Sequence, residues 1–281
     1  MNDAAPLSHA AQNGTGQDPV VGVEGLEARY GERVILRDVN LQVHSGEIMV
    51  VMGGSGSGKS TLLRCLLALN RPTQGRVTLF GQSLDLLSAR ELHALRQRIG
   101  VAFQGGALFN SLSVEENVAF PLREHTRLDD NTMRIMARMK LEVVGLAGSE
   151  HLMPAELSGG MIKRAALARA IVMDPALLFF DEPSAGLDPV VSAGLDELIL
   201  RLRDTMGVTV VVVTHELDSA FRIADRITVL DRGRVLISDR KDAVRDSDNE
   251  RVQNLLNRRI EEVRVNADEY LRRLTDDLKG L

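Results

Sequence analysis

A glycine-rich turn between an apolar strand and a helix constrains this chain more than any other feature of its sequence. The run Glu47–Met52 is typical of a buried strand, and Leu62, Leu63, Leu66 and Leu67 follow at helical spacing. Glycines between them let backbone N–H groups turn inward around phosphate oxygens, where the helix N-terminus adds a favourable dipole. A Gly/Ser-rich turn is the alternative, but the flanking strand and helix favour a P-loop.

The P-loop prediction assigns a role to each polar side chain of the turn. Lys59 reaches the β- and γ-phosphates of a nucleotide, and Ser60 supplies a hydroxyl group to Mg²⁺. The predicted phosphate-binding residues are Gly53, Gly54, Ser55, Gly56, Ser57, Gly58, Lys59, Ser60 and Thr61.

Short apolar runs alternate with helical stretches between residues 20 and 240, which predicts an α/β fold with a mostly parallel core sheet. Like Glu47–Met52, the runs Ala176–Phe180 and Val208–Val213 are nearly continuous, as expected of strands buried on both faces. Val21–Tyr30 and Val34–Val43 alternate more and flank a short turn, so we predict an antiparallel hairpin, the core of an N-terminal β subdomain.

Two acidic residues follow the apolar run Ala176–Phe180. Asp181 and Glu182 follow an apolar strand, the place beside a P-loop where Mg²⁺ needs a further ligand. We assign that role to Asp181, and we expect Glu182 to polarise the water that attacks the γ-phosphate. Taken alone, the same residues are also compatible with an acidic turn or a helix N-cap.

A second anion-binding pattern opens the helical segment that begins near residue 158. Ser158, Gly159 and Gly160 offer a hydroxyl group and unobstructed N–H groups at a helix start. Alone this is a weak signal, since the same residues are common as an N-cap. Its value comes from its position between the P-loop and the acidic strand.

These motifs occur in the order found in ATP-binding cassette (ABC) ATPases, and the resemblance covers roughly residues 20 to 240. It implies that two copies pair head to tail, so that Ser158, Gly159, Gly160 and Asp188 act in trans on ATP held by the partner's P-loop. It also implies that Gln104 contacts Mg²⁺ or the attacking water, that His215 contacts the γ-phosphate, and that Tyr30 stacks on adenine. The implied ligands are ATP and Mg²⁺.

Two of these residues have other interpretations, and one nearby position departs from the family pattern. By itself His215 is as compatible with a hydrogen-bonded core histidine, and Tyr30 with a core residue of the hairpin. Met161 stands where the family usually has glutamine, whose amide hydrogen bonds a thioether cannot reproduce. We expect activity to survive, because the Ser158 hydroxyl and the glycine N–H groups remain.

The middle of the chain, from Phe103 to Met161, resembles MlaF-type ATPases of bacterial phospholipid transporters. This implies a separate MlaE-like permease, an MlaD-like MCE protein and often an MlaB-like STAS protein, with the ATPase on the cytoplasmic face of the inner membrane. The implied function is to power phospholipid movement between inner and outer membranes. An importer ATPase for amino acids or metals, and a non-transport ABC ATPase, share the same nucleotide motifs and are the alternatives.

Near Gln104, the apolar residues Ala107, Leu108 and Phe109 are expected either to form part of a groove for a permease helix or to be core. The segment Arg123–Leu157 is predicted to be helical, with its methionines in a core stripe rather than a ligand site. We place the helical subdomain at about 106–174.

Composition sets the outer limits. With 281 residues the chain is long enough to fold without disulfides, and Cys65 is its only cysteine. A net charge of −5 argues against bulk electrostatic binding of nucleic acid, and no apolar run has the length of a membrane span. We predict a flexible polar lead at 1–19, the ATPase domain at 20–240 and a C-terminal helical extension at 241–281. Apolar residues from Val252 to Leu278 recur at threes and fours, with the i,i+4 pairs Asp268–Arg272 and Glu269–Arg273 on the outer face.

Overall fold

The computed structural model describes residues 19–259. Within them the strands are β1 (Val21–Tyr30), β2 (Arg33–Val43), β3 (Ile48–Met52), β4 (Gln74–Leu79), β5 (Gln82–Ser83), β6 (Ile99–Ala102), β7 (Leu177–Asp181), β8 (Thr209–Thr214), β9 (Arg226–Asp231) and β10 (Arg234–Arg240). The helices are α1 (Lys59–Leu66), α2 (Ala89–Arg96), α3 (Val114–His125), α4 (Asp130–Val143), α5 (Gly159–Ile171), α6 (Pro189–Met206), α7 (Leu217–Ile223), α8 (Lys241–Arg245) and α9 (Glu250–Leu256), with a 3₁₀ turn at Pro154–Glu156.

Two sheets organise these elements. The central sheet has the order β10-β9-β3-β8-β7-β6 and is parallel except for the β9–β10 pair. The second sheet is antiparallel, with the order β2-β1-β4-β5. The α/β fold with a mostly parallel sheet is therefore confirmed, and the predicted hairpin forms half of a separate sheet rather than an edge of the main one.

Burial on both faces explains the continuous apolar strands. In β3, Met49 and Val51 pack into the core shared with the antiparallel sheet, whereas Ile48, Val50 and Met52 pack into the core on the opposite face. The same alternation between two cores continues in β8. A strand with apolar neighbours on each side needs no polar alternation, as expected for a covered parallel sheet.

The segment between β6 and β7 is helical, as predicted. Ser113 begins α3 with a capping box to Glu116, and Asp129 caps α4 by accepting a bond from Thr132 N. The prediction of a methionine core stripe is only partly right: Met133 is buried, but Met139 on the opposite side of α4 is 60% exposed. The helical turn places the two side chains on different faces.

The predicted C-terminal stripe is interrupted. Helix α9 ends at Leu256, and Arg258 has a φ of +52°, which a continuing α-helix does not allow. The apolar stripe that begins at Val252 therefore does not continue as one unbroken helix past Leu256. The rest of that stripe, with its Asp268–Arg272 and Glu269–Arg273 pairs, lies outside the described residues, as does nearly all of the predicted lead. Among the helices described, none is long and apolar enough to cross a membrane.

Candidate active site

The predicted site residues follow the carboxyl ends of neighbouring parallel strands. Gly53 comes directly after β3, His215 after β8, Glu182 after β7 and Gln104 two residues after β6. The strands are in register there, with Met52 beside Thr214 and Asp181 beside Val213. This edge is where ligands bind in open α/β sheets, so the fold brings together residues that lie far apart in sequence.

The glycine-rich turn needs its glycines for two different reasons. Gly56 and Gly58 have φ values of +75° and +109°, which favour glycine, and Gly58 is the N-cap of α1. At Gly53 the limit is space, because an added Cβ would lie 2.1 Å from the Leu230 carbonyl oxygen. The Ser57 hydroxyl inside the turn is buried without a hydrogen-bond partner. A turn of this shape presents backbone N–H groups to an anion at the start of α1.

The side chain of Lys59 is hydrogen-bonded to the backbone of the glycine-rich turn. Its Nζ donates hydrogen bonds to the carbonyl oxygens of Gly53, at 2.7 Å, and Gly54, at 3.2 Å. Burial lowers the pKa of Lys59, while the carboxylates of Glu182 and Asp181 act in the opposite direction. The ammonium group is therefore positioned at the phosphate-binding turn with two acids close by.

Glu182 has both a strained backbone and a fixed carboxylate. Its φ is +49°, a conformation rare for a residue with a side chain, and only 9% of it is exposed. Its Oε2 accepts bonds from Thr214 Oγ1 at 3.1 Å, from His215 N at 3.3 Å and from His215 Nδ1 at 2.9 Å. Because a carboxylate only accepts, His215 carries its proton on Nδ1 in this arrangement. Strand β8 thus orients the catalytic candidate supplied by β7.

Asp181 lies one residue earlier, half-buried at the end of β7. Burial raises the pKa of its carboxyl group, with a further rise from Glu182, while Arg64, Lys163 and Lys59 lower it. The carboxylate oxygens of Asp181 are ligands of the kind that Mg²⁺ prefers. In the described part of the chain, no cluster of three or more His, Cys, Asp or Glu side chains is arranged to hold a metal by itself.

A cavity of about 500 Å³ joins these parts, within the size range of small-molecule sites. Its wall contains half of the predicted site residues, together with two apolar ones: Met52, Gly53, Gly54, Ser55, Gly56, Lys59, Ser60, Gln104, Glu182, His215 and Leu255. Several predicted residues are not part of this wall as the described chain folds. They are Tyr30, Ser57, Gly58, Thr61, Ser158, Gly159, Gly160, Asp181 and Asp188.

Tyr30 lies at the end of β1 and is 50% exposed, so it is not a core residue of the hairpin. Its hydroxyl group accepts a hydrogen bond from Asn70 Nδ2 at 2.6 Å. Its ring is accessible from outside the domain, and the stacking role on adenine remains a prediction.

The second anion-binding pattern is a helix start away from the cavity wall. Ser158 caps α5, with Met161 N donating to its Oγ at 3.3 Å. Asp188 caps α6 by accepting bonds from Val190 N and Val191 N at 3.0 and 3.1 Å. Within one chain, neither helix start is part of the cavity wall at the P-loop.

A groove beside Gln104 has aromatic walls. We call it the phenylalanine groove; it has a volume of about 310 Å³ and includes Phe103, Phe109, Phe120 and Met173 in its lining. The ring centroids of Phe109 and Phe120 are 4.6 Å apart, and Phe109 is 44% exposed. Of the three residues predicted here, Leu108 instead packs against the core, while Ala107 is exposed with a φ of +49°.

A buried asparagine fixes the backbone of Phe109 through two hydrogen bonds. Asn117 Oδ1 accepts a bond from Phe109 N at 2.8 Å, and its Nδ2 donates to Phe109 O at 3.0 Å. Asn117 has no exposed surface. An exposed phenylalanine on a rigid loop is a formed apolar surface rather than a loose one.

Sequence reasoning missed three contributors to the site. Thr214 fixes Glu182 through its hydroxyl group, Leu255 from α9 forms part of the cavity wall, and Lys163 bonds the main chain of Gln104 and Glu182. Thr214 was visible only as the residue before His215. Leu255 and Lys163 carried no signal, because their roles depend on how distant elements pack.

The comparisons with known proteins agree with this geometry. A family profile described as "ABC transporter" matches residues 36–185, more than half of the chain. The chain belongs to the ABC transporter family, and it is an ATP-hydrolysing cassette of that family.

Individual relatives show which kinds of ABC transporter ATPase this chain is similar to. The chain is 44% identical to the intermembrane phospholipid transport system ATP-binding protein MlaF of Haemophilus influenzae, over 84% of this chain and 90% of that protein. It is 40% identical to a probable ribonucleotide transport ATP-binding protein, mkl, of Mycobacterium leprae, over 89% of this chain and 73% of that protein. Among solved structures, a dimeric ATP-binding cassette in a post-hydrolysis state with ADP and Pi is similar with a TM-score of 0.72 and 33% identity, covering 78% of this chain and 98% of that one.

Proposed function

We propose that this chain is the ATP-hydrolysing subunit of a phospholipid transporter, acting as a pair of copies on a separate permease. The observation that carries the proposal is the 44% identity to MlaF, which extends over 90% of that protein and so includes far more than the nucleotide motifs. The geometry of the cavity supplies the chemistry that such a subunit needs.

ATP binds as the substrate in the cavity lined by the P-loop. The backbone N–H groups of Gly54, Ser55 and Gly56 cradle its phosphates, and Lys59 turns from the Gly53 and Gly54 carbonyls towards the β- and γ-phosphates. The buried hydroxyl group of Ser57, which has no partner, fits a role inside this cradle. Ser55, Ser57 and Lys59 together give the turn donors and no negative charge.

The oxygen donors of Ser60, Gln104 and Asp181 suit Mg²⁺, which prefers oxygen ligands and usually shares them with substrate phosphates and water. The lack of a full protein cage among the described residues fits this preference. When bound, the ion neutralises charge on the β- and γ-phosphate oxygens.

Glu182 is the general base in the proposed reaction. It accepts a proton from the attacking water while the bond between the γ-phosphorus and the β–γ bridging oxygen breaks, giving ADP and phosphate. The described contacts of its carboxylate all use Oε2, so Oε1 is the oxygen that faces the water. His215 keeps Glu182 in place through Nδ1 and contacts the γ-phosphate, and Gln104 orients the water or the ion.

Two chains complete each site. The start of α5 at Ser158, Gly159 and Gly160, together with Asp188, faces ATP on the partner chain, while Tyr30 stacks on the adenine of its own. The similarity to a dimeric ATP-binding cassette, at 33% identity, supports this arrangement. Hydrolysis then weakens the link between the copies, and the permease converts that motion into lipid movement.

The phenylalanine groove is the proposed docking site of a permease helix. Phe103 in its wall directly precedes Gln104, which lines the nucleotide cavity, so a helix seated in the groove senses the state of that cavity. The substitution Phe109→Asp places a charge in this apolar contact. We expect it to release the ATPase from its permease.

Pull-down of the permease complex measures this release. The exposed residue Leu86, on a different loop, provides the matched control: Leu86→Asp leaves co-purification intact. Undiminished co-purification of folded Phe109→Asp contradicts the docking site.

The proposed assembly includes an MlaE-like permease, an MlaD-like MCE protein and an MlaB-like STAS protein, with this chain on the cytoplasmic face of the bacterial inner membrane. Ribonucleotide transport is the second candidate, because the similarity to mkl covers most of the chain.

Purification of the complex from membranes tests the two against each other. Mass spectrometry identifies its subunits and bound molecules, and ATPase rates are measured with added phospholipid or ribonucleotide. Co-purified phospholipid and stimulation by lipid support the proposal, whereas stimulation by ribonucleotides alone overturns it.

A further inference from the structure

Lys163 joins two parts of the active site that are distant in sequence. It lies in the second turn of α5, and its Nζ donates hydrogen bonds to the main-chain carbonyl oxygens of Gln104 and of Glu182, the latter at 3.1 Å. These acceptors precede it by 59 residues and follow it by 19. One ammonium group therefore ties the loop after β6 to the loop after β7.

The environment of Lys163 restricts the movement of its side chain. The small void beside it, about 10 Å³, is lined by Phe103, Phe180 and Pro183 among others. Apolar neighbours pack along the stem while the ammonium group reaches main-chain oxygens. Burial lowers the pKa of Lys163, and the carboxylates of Asp181 and Glu182 oppose this. The Lys163 ammonium group is therefore held where it donates to the main chains of both loops.

The backbone that Lys163 bonds is held in an unusual conformation. Glu182 has its φ at +49°, and the loop of Gln104 continues into Gly106 and Ala107, with φ values of +75° and +49°. Arg169, also on α5, donates to the carbonyl oxygens of those two residues at 2.7 Å each. Such conformations persist only where surrounding contacts impose them, and here α5 supplies several of those contacts.

We propose that Lys163 is a positioning residue for ATP hydrolysis, fixing the main chains of Glu182 and Gln104 relative to each other so that their side chains face the γ-phosphate together. The proposal rests on the catalytic roles given above to Glu182 and Gln104. Lys163 belongs to the helix that begins at Ser158. A shift of that helix start is therefore passed through Lys163 to Glu182, the general base of the same chain.

The test replaces Lys163 in the full-length chain and separates kcat from KM. Methionine keeps the length of the stem and removes the donors, so Lys163→Met lowers kcat by about 10- to 100-fold while the KM for ATP stays within about twofold. Arginine has several donors, and Lys163→Arg restores most of kcat. A purely structural role instead lowers stability without the selective loss of kcat and without rescue by arginine.

Arg164 provides the matched control on the same helix. Its Nη1 donates to the Val144 carbonyl oxygen at 2.7 Å, away from the site, so Arg164→Met removes a similar bond and leaves kcat unchanged. Thermal unfolding of each variant confirms that the chain is folded. If Lys163→Met does not fold, Lys163→Gln, which keeps an amide donor on a shorter stem, takes its place with the same expected fall in kcat.

Glu182→Gln in the same assay distinguishes the two possible failures. Turnover by Glu182→Gln overturns the catalytic assignment on which the proposal rests. An inactive Glu182→Gln together with wild-type kcat in the folded Lys163 variant overturns the positioning role alone. An equal loss of kcat in Arg164→Met also overturns it.

Discussion

At the scale of single residues, the arrangement around Glu182 makes a sharp prediction. Glutamine has the same shape and its amide oxygen still accepts from Thr214 and His215, so Glu182→Gln keeps the fold and the nucleotide site. It cannot take a proton from water, and we expect hydrolysis to fall by about 100- to 10,000-fold. Phosphate release measures the loss, and retention of labelled ATP shows that binding survives.

Glu216 supplies the control for that substitution. It is a neighbouring acid, 44% exposed at its side chain and 3.5 Å from His215 Nε2. Glu216→Gln therefore removes a nearby charge without touching the proposed base, and its turnover stays close to that of the wild type. Equal losses in the two variants contradict the assignment of Glu182 as base.

Residue identities were predictable from sequence where function depends on local geometry. The P-loop glycines and Lys59 lie within nine consecutive residues, so the chain itself sets their spacing. Asp181 and Glu182 were predictable because a strand end fixes where they point. Lys163 was not, since its bond to Gln104 spans 59 residues and depends on how α5 packs against β6.

At the scale of elements, α9 is the unexpected part of the site. Leu255 contributes to the cavity wall, whereas its neighbour Leu256 packs on the core without entering that wall. Leu255→Ala and Leu256→Ala remove equal apolar volume, and each lowers the free energy of unfolding by about 1 kcal/mol. Only Leu255→Ala also weakens ATP binding, by about two- to fivefold.

Titration with a fluorescent ATP analogue and chemical denaturation measure the two quantities separately. Equal binding by both variants removes α9 from the nucleotide site. Equal weakening in both shows that the helix acts only through stability.

Helix α9 also shows what the C-terminal stripe of apolar residues could not predict. Apolar residues at threes and fours indicate which face is buried, but they do not show where the backbone leaves the helix. The break comes at Asn257 and Arg258, which carry no glycine or proline signal. By contrast, the continuous strands of the central sheet were predictable, because burial on both faces appears directly in the composition of β3, β7 and β8.

At the scale of the whole molecule, one chain carries two helix starts that we propose to bind phosphate, and only the start of α1 lines the cavity. The P-loop opens α1 at the cavity, while Ser158 opens α5 elsewhere. If each serves a different ATP, neither is complete without a second copy, and a head-to-tail pair satisfies both at once. The order of the motifs along the sequence predicts this pairing, and the similarity to a dimeric cassette supports it.

Complementation between two inactive variants tests the pairing directly. Lys59→Ala disables the P-loop, and Gly159→Asp places a carboxylate where the α5 start meets the partner's ATP. The structure accommodates a side chain at Gly159, whose added Cβ would approach Leu187 Cδ2 no closer than 3.7 Å. Each variant alone is inactive because both sites of its pair are damaged.

A heterodimer of the two variants contains one site with both defects and one with neither. Purified through two different tags, it recovers up to half of the wild-type turnover if α5 acts in trans. If instead each chain completed its own site, the same heterodimer would contain one damaged P-loop and one damaged α5 start, and it would stay inactive. A heterodimer that forms but hydrolyses no ATP therefore contradicts the paired arrangement, whereas recovered turnover requires that each ATP lie between two chains.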